Sequence, residues 1–414
     1  AATFVEDPDA GRWGGPVANN PDGCVRQADS RDSNLRHTPS HGDATLLRDA
    51  AFVALVEPNR RYALAVRDEL LAQARVPGVD FTNRNRYCLG TIDGEEKPMF
   101  TIANWQTRLL YAYDYVRIAY PELFSTADAA MLDRWFAGSA EWMQEAADSK
   151  LDELFGDRTR GNYQLTEVAT GEWSRPLYFE GEEARTLQRR YNNRVAATMR
   201  FVALVGVDQS NQSFIDSGRR FATEFIRFAY YPTGTFGEFE RWTDERPILG
   251  WKYAVLAVGS VVTIADVMAR AGDPSVYAHR TTDGALGTEG THHTGVPKSL
   301  ATMVADLMRY VDQTYERYGT NDGSRAGDAR YLINSIDDLY DDRSVHDTML
   351  AMSNRYYRDP FVRNVYQRTA PGTPGYPANP THGQGDPEGG EWGTYPGALF
   401  MFGGLEDAPS PYRG

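Results

Sequence analysis

The sequence predicts an all-α protein, a double-layered (α/α) toroid whose helical barrel is incomplete. Apolar residues recur at helical spacing between residues 43 and 360, and no run of alternating strands or βαβ spacing competes with them. Segments with one apolar face, at 126–147 and 214–229, alternate with segments that are apolar almost all round, at 195–207 and 248–268. Helices of the second kind must be buried on both sides, which predicts an inner layer of helices inside an outer one.

The 414 residues are interpreted as one domain with an irregular arm at each end. Residues 1–42 are rich in Asp, Asn, Pro and Gly without a hydrophobic period, so an irregular N-terminal arm is expected. Residues 43–360 would form the toroid, and the Pro- and Gly-rich stretch 361–414 an extended tail. No repeat of fixed period is present, which disfavours a simple solenoid.

Start and stop signals divide the first half of the chain into helices. The predicted helices span 44–56, 60–74, 101–119 and 126–147. Pro58 separates the first two and Pro121 follows the third, because proline cannot continue a helix. Ser125 has the short hydroxyl side chain preferred at a helix N-cap. Residues 76–100 are expected to form a loop.

The same signals continue in the second half. The predicted helices there span 183–205, 214–229, 248–268, 298–318, 327–340 and 345–357. Pro247 opens the third of these helices, where its missing N–H would lack a partner anyway. Residues 149–182 and 271–296 are polar and would join 76–100 as the long loops of the toroid rim.

Charge and hydropathy exclude several classes of partner. The net charge of −14 argues against nucleic acid, which needs a basic surface. The longest apolar run, 254–268, contains Ser260, Thr263 and Asp266, so a buried helix is expected rather than a membrane span. Neither a GxGxxG after a strand nor a phosphate loop is present, so no cofactor is expected. We expect a monomer.

Two cysteines bear on the compartment. A disulfide between Cys24 and Cys88 would tie the N-terminal arm to the 76–100 loop if the protein is exported, and two buried thiols are the alternative. The chain begins Ala-Ala-Thr, as a mature secreted protein or a trimmed chain would. A secreted or periplasmic protein is therefore expected.

A basic and amide-rich run precedes the apolar segment 195–207. It reads Arg189-Arg190-Tyr191-Asn192-Asn193-Arg194. Adjacent asparagines are poor helix formers and need a local reason. Amide donors could neutralise a substrate carboxylate while Arg190 and Arg194 hold neighbouring carboxylates, so the run predicts a site for a ligand with several carboxylates. The alternative is a solvated basic helix end.

A second cluster lies at the start of the segment 248–268. Arg246 precedes Tyr253 by seven residues, about two helical turns. A guanidinium beside a phenol at the mouth of a buried helix is a chemical arrangement, although a snorkelling arginine and a core tyrosine remain the alternative. Trp251, and Arg86 from the 76–100 loop, are expected to contact substrate as well.

His292 and His293 stand together in the loop 271–296. Vicinal histidines could supply a catalytic base or a metal ligand. No partner lies at ligand-like spacing such as HxxxH, so no metal is expected. Two exposed or hydrogen-bonded loop histidines are the alternative.

Together the two clusters resemble the signature regions of the alginate-lyase-like polysaccharide lyases. The matching stretches read YNNRVAATMRFVALVG and GTFGEFERWTDERPILGWKYAVLAV. The similarity covers 183–268 and, loosely, the helices from 101 onward. It implies a helical toroid with Asn193 at the substrate carboxylate, Arg246 beside it and Tyr253 as the catalytic tyrosine.

The match to the family pattern has one ambiguity and one departure. Arg241 competes with Arg246 for the position of the family arginine. Arg194 stands where many members have histidine, so a histidine would assist only if His292 or His293 comes in from its loop.

The resemblance implies cleavage of an anionic polysaccharide, a uronic-acid polymer (glucuronan or mannuronate-type alginate), by syn β-elimination. One tyrosine then acts as base and acid, which requires its pKa to fall from about 10 toward about 7–8. Two other classes stay open. A glycoside hydrolase on the same fold would use paired carboxylates from Glu238, Glu240 or Asp244, and a glycan-binding protein would change no substrate.

Overall fold

The computed structural model describes residues 41–75, 92–156, 158–160, 163, 178–242, 247–287, 295–318 and 343–369. This part of the chain is mostly helical, which confirms the all-α prediction. Cys24, Cys88 and the predicted helix 327–340 lie outside the described residues, so the disulfide and that helix stay predictions.

The helices up to residue 228 are α1 (His41–Val56), α2 (Arg60–Ala74), α3 (Ile92–Ala119), α4 (Thr126–Phe155), α5 (Gly181–Arg190), α6 (Asn193–Asp208) and α7 (Gln212–Phe228). Those that follow are α8 (Gly237–Trp242), α9 (Pro247–Arg270), α10 (Ser275–Ala278), α11 (Leu300–Tyr318), α12 (Arg343–Tyr357) and α13 (Pro360–Thr369). Two short strands, β1 (Tyr178–Glu180) and β2 (Gly284–Gly287), pair in parallel, and two 3-10 turns lie at Pro121–Leu123 and Arg158–Arg160.

Side-chain caps explain where several helices begin. The Ser125 hydroxyl accepts the Asp128 N–H at 3.1 Å and the Asp128 carboxylate accepts the Ser125 N–H at 3.3 Å, a complete capping box at the start of α4. Asn59 caps α2 in the same manner, accepting from the Tyr62 N–H at 3.3 Å. The predicted cap at Ser125 and the proline at the start of α9 are both confirmed. The predicted loops 76–100 and 149–182 are wrong at their edges, because α3 begins at residue 92 and α4 continues to residue 155.

The predicted helix 183–205 is wrong in one respect, because it breaks at Tyr191 and Asn192 into α5 and α6. Asn192 has an extended backbone (φ −115°, ψ 174°), and its Oδ1 accepts the N–H groups of Arg194 at 2.9 Å and Val195 at 3.2 Å. Asparagine favours such a cap over a helix interior because its short side chain competes for local backbone groups.

The helices pack in two layers. Helices α1, α3, α6, α9 and α12 lie side by side in that order. Against this row, α2 packs on α1 and α3, α4 on α3 and α6, α7 on α6 and α9, and α11 on α9 and α12. Closure of the layers into a toroid stays a prediction.

Burial differs between the layers as the apolar patterns predicted. Helix α6 is buried around nearly its whole circumference, whereas α7 buries a single face led by Phe214, Phe221 and Phe225. Gly250–Arg270 is long and apolar enough to cross a membrane by length and composition, but 83% of the tested window is buried within the protein. Such burial is typical of a core helix.

Glycine allows α7 to approach the inner layer closely. A Cβ at Gly218 would lie 2.7 Å from the Cβ of Ala203 on α6 and 3.3 Å from the Cε of Met268 on α9. The C-terminal halves of α6 and α9 therefore meet at the same point of α7.

The parallel pair of β1 and β2 was not predicted, because each strand is short and β2 is half glycine. Tyr178 pairs with Gly284 and Phe179 with Ala285. Gly284 has a positive φ of 97°, and a Cβ there would lie 2.1 Å from the carbonyl oxygen of Arg227. Only glycine fits this contact between β2 and the end of α7.

Lys298 also stabilises the contact between β2 and the end of α7. Its ammonium is fully buried and donates to the carbonyl oxygens of Arg227, Tyr230 (3.1 Å) and Ala285 (3.2 Å). Burial lowers the pKa of Lys298 to about 7, and the carboxylate of Asp283 opposes that shift in part. One side chain thus ties together α7, the turn that follows it and β2.

Lys298→Met is expected to destabilise the protein by roughly 2–4 kcal/mol, since three buried carbonyl groups lose their donor. Chemical denaturation measures this, with Lys252→Met, at a partly exposed lysine of α9, as the control.

The cost of Lys298→Met should also depend on pH. Between pH about 7 and about 10 the unfolded chain holds a proton on Lys298 that the folded chain has released, so wild-type stability rises with pH. The difference between wild type and variant should grow by up to about 1.4 kcal/mol per pH unit. A difference that narrows as the pH rises would contradict this account.

The helical body extends further toward the C-terminus than predicted. The boundary at 361 falls inside α13, which packs on α11 and α12. The predicted tail is therefore wrong for residues 361–369, and residues 370–414 lie outside the described residues.

Candidate functional site

Tyr253 lies in the second turn of α9, partly exposed and packed against the core. Trp251, two residues earlier, is 0% exposed. A ring without an exposed face cannot stack on a sugar, so the structure gives Trp251 a packing role. Of the two aromatic candidates on α9, Tyr253 is the one within reach of a ligand.

At the start of α6 the structure accounts for every N–H of the first turn. The Asn193 N–H donates to Oε1 of Glu238 at 2.7 Å, and those of Arg194 and Val195 donate to Oδ1 of Asn192. The next N–H bonds to the Asn192 carbonyl at 3.0 Å. Because these donors are occupied, an anionic ligand here would have to be recognised by side chains rather than by the helix N-terminus.

The two asparagines have different environments. Asn192 is 2% exposed, and its Nδ2 donates to the Arg189 carbonyl at 2.9 Å while its Oδ1 caps α6. Asn193 is 3% exposed, and its Oδ1 has no hydrogen-bond partner among the described residues. The Asn192 amide is thus used in holding the helix, whereas the Asn193 amide keeps an acceptor without a donor, which is uncommon for a buried group.

Helix α8 contacts the first turns of both α6 and α9. A Cβ at Gly237 would lie 2.7 Å from the Cβ of Gln188 on α5, and one at Gly250 would lie 3.1 Å from the carbonyl oxygen of Glu238. Glu238 also accepts from Asn193 on α6. Since the C-terminal halves of α6 and α9 meet at α7, the two helices run parallel. Asn193 and Tyr253 therefore lie toward the same end of the pair.

A buried carboxylate stabilises the asparagine corner, the break between α5 and α6 at Tyr191 and Asn192. Glu224 of α7 accepts the hydroxyls of Tyr191 at 2.9 Å and Tyr163 at 3.1 Å, together with the guanidinium of Arg158. Burial raises the pKa of Glu224, against the opposing effect of Arg158. Burial and the nearby Glu224 also raise the pKa of Tyr191 well above its usual value. Tyr191 is therefore a protonated donor that anchors the corner.

The arginines of this region do not form one group. Arg189 is exposed and Arg190 and Arg194 are partly exposed, so these three can meet a ligand from solvent. Arg200 is only 6% exposed and donates to Oδ1 of Asn104 on α3 at 2.7 Å. The basic surface beside the asparagine corner consequently comes from the end of α5 and the first turn of α6.

Several predicted residues are not located in detail. Arg246, His292, His293 and Arg86 lie outside the described residues, as does the side chain of Arg241 on α8. Their roles stay predictions. Among the described residues, no group of three or more His, Cys, Asp or Glu side chains could hold a metal ion.

The capping role of Glu238 was not predicted, because the sequence suggested it only as a hydrolase carboxylate. A glutamate that accepts from a helix 45 residues earlier in the chain leaves no local signal. Gln188, 7% exposed with its Oε1 unpartnered among the described residues, was likewise missed. Both line the contact of α8 with the asparagine corner.

No protein-family model matches the chain, and no curated protein matches it either. The functional interpretation therefore depends on the residues of the chain and their geometry.

Proposed function

We propose that the protein is a polysaccharide lyase that cleaves a uronic-acid polymer, glucuronan or mannuronate-type alginate, by syn β-elimination. One observation carries the proposal: the side-chain carboxamide of Asn193, whose Oδ1 has no hydrogen-bond partner among the described residues, and the partly exposed phenol of Tyr253 lie toward the same end of two parallel neighbouring helices. Elimination needs an electrostatic partner for the substrate carboxylate and a proton-transfer group at C5. An amide and a phenol meet these two needs.

In the proposed reaction Asn193 and Arg246 hold the carboxylate and stabilise the negative charge that develops on it. Tyr253, as phenolate, removes the C5 proton. The electrons of the C5–H bond form the C4=C5 double bond as the C4–O bond breaks, and the Tyr253 hydroxyl returns the proton to the leaving oxygen. One residue can do both because the C5 proton and the C4 oxygen lie on one face in mannuronate and glucuronate.

The remaining predicted residues take supporting roles in the proposal. Arg190, Arg194, Arg241 and Arg86 would hold carboxylates of neighbouring sugars, and His292 or His293 would assist if its loop reaches the site. The two helix layers would curve into an incomplete toroid with this site at one rim. The order in which neighbouring helices pack supports that arrangement.

The lyase is favoured over a hydrolase by the environment of Glu238. Oε1 of this carboxylate accepts the backbone N–H of Asn193 at 2.7 Å, so Glu238 has a role in capping α6 that competes with protonation of a glycosidic oxygen. The side chains of Glu240 and Asp244 lie outside the described residues, so a hydrolase would depend on them.

An absorbance assay with alginate, glucuronan and a neutral glucan tests the proposal. The unsaturated ends made by elimination absorb in the ultraviolet, so absorbance should rise with a uronate polymer and stay flat with the glucan. New reducing ends without absorbance would instead identify a hydrolase. Binding without any new ends would identify a glycan-binding protein.

A further inference from the structure

Glu238 contacts both sides of the candidate site. Its side chain is 3% exposed, and Oε1 lies 2.7 Å from the backbone nitrogen of Asn193. Its backbone carbonyl lies close to α9, with the oxygen 3.1 Å from a Cβ built at Gly250. Glu238 thus contacts both α9, the helix that carries Tyr253, and Asn193, whose side chain has an Oδ1 without a partner among the described residues.

The backbone around Glu238 has little freedom to move. A Cβ at Gly237 would lie 2.7 Å from the Gln188 Cβ, and one at Gly250 would lie 3.0 Å from the Cα of Phe239. Helix α8 is therefore closely packed between α5 and α9. With its backbone held on both sides, Glu238 directs its carboxylate to the first turn of α6.

The bond from Glu238 differs from the other caps of α6. Asn192 supplies two bonds, but it belongs to the same segment and moves with it. Glu238 comes from another helix and supplies a carboxylate acceptor. A carboxylate is favourable at the positive end of a helix dipole, and charge-assisted hydrogen bonds are the stronger kind.

We propose that Glu238 is a positioning residue. It holds the Asn193 backbone at a fixed distance from the start of α9 and so keeps the Asn193 side-chain carboxamide aligned with Tyr253. The activity part of this inference depends on the proposed lyase function. The structural part does not.

The test compares Glu238→Ala, which removes the acceptor, with Glu238→Gln, which keeps a carbonyl acceptor at the same reach. Asp266→Ala is the matched control, since Asp266 is a 3% exposed acid near the other end of α9. Hydrogen exchange of the Asn193 backbone N–H is measured in each folded protein without substrate. We expect exchange about 10–100-fold faster in Glu238→Ala, within about threefold of wild type in Glu238→Gln, and unchanged in the control.

Kinetics on the uronate polymer form the second measurement. Glu238→Ala should lower kcat by about 10²-fold with KM changed little, because the reacting groups are misplaced while the polymer still binds. Glu238→Gln should restore kcat to within about tenfold of wild type. The control should keep wild-type kinetics below its unfolding temperature.

Unchanged Asn193 exchange in Glu238→Ala would overturn the inference, as would equal losses in the glutamine and alanine variants. If Glu238→Ala does not fold, Glu238→Gln is the deciding variant. Fast hydrogen exchange of the Asn193 backbone N–H in Glu238→Gln would contradict the inference, and exchange as slow as in wild type would support it. If wild type cleaves no uronate polymer, the proposed function fails while the exchange result still judges Glu238.

Discussion

Tyr253→Phe is expected to remove the formation of unsaturated product, with kcat lower by at least about 10³-fold. The variant loses only the hydroxyl, which the proposal uses first as base and then as acid. General acid–base catalysis contributes about 10²–10⁴-fold for one transfer, and here two transfers depend on one group. Initial rates of ultraviolet absorbance on the preferred polymer measure the loss.

The fold should tolerate this change. Tyr253 is partly exposed, so the free energy of unfolding should change by less than about 1 kcal/mol. Tyr62→Phe, at a 40% exposed tyrosine of α2, is the matched control and should keep full activity. Turnover retained in Tyr253→Phe would remove Tyr253 from the mechanism.

Asn193→Asp should be the next most damaging substitution, lowering kcat/KM by about 10²–10³-fold. The side chain keeps its size, but the amide that would meet the substrate carboxylate becomes a second negative charge. Two such charges about 4 Å apart repel by about 4 kcal/mol at an effective dielectric constant of about 20. The kinetics of the purified variant on the same polymer measure the effect.

Asn192→Asp is the matched control for Asn193→Asp, since it places the same charge one residue away. Aspartate caps helices as well as asparagine, so the bonds to Arg194 and Val195 should persist. We expect a loss of no more than about tenfold, because that amide is used in capping. Equal losses in the two variants would mean that added charge, rather than contact with Asn193, explains the effect.

Much of the fold could be predicted from local pattern. The bounds of α2, the cap at Ser125 and the proline start of α9 follow from propensity and capping, which depend on near neighbours in sequence. All-round burial of α6 followed from its apolar pattern. These features are properties of single helices.

What could not be predicted depends on distant contacts. The break at Asn192 is visible only once its side chain is seen to cap the next turn. The pairing of β1 with β2 joins segments about a hundred residues apart through a glycine that fits against Arg227. The apolar pattern predicted a buried helix at Trp251, but it could not show whether the ring packs in the core or lines a site, and the predicted substrate contact is wrong because the ring is 0% exposed.

The candidate site divides in the same way. The sequence placed Asn193 just before the apolar segment 195–207 and Tyr253 near the start of 248–268, and the structure puts them in the first turn of α6 and the second turn of α9. Only the hydrogen bonds show that Asn192 caps α6, whereas Oδ1 of Asn193 has no partner among the described residues. The cross-chain bond from Glu238 needed the packing of α8 between its neighbours.

The most direct test of the central claim is the mass of the products made in heavy-oxygen water by the wild-type protein. Elimination adds no water, so in products collected before their reducing ends exchange oxygen with the solvent, one fragment of each cut should carry an unsaturated uronate end and be lighter than the hydrolysis product by one water, and neither fragment should contain heavy oxygen. Saturated fragments that contain the label would show hydrolysis and contradict the account.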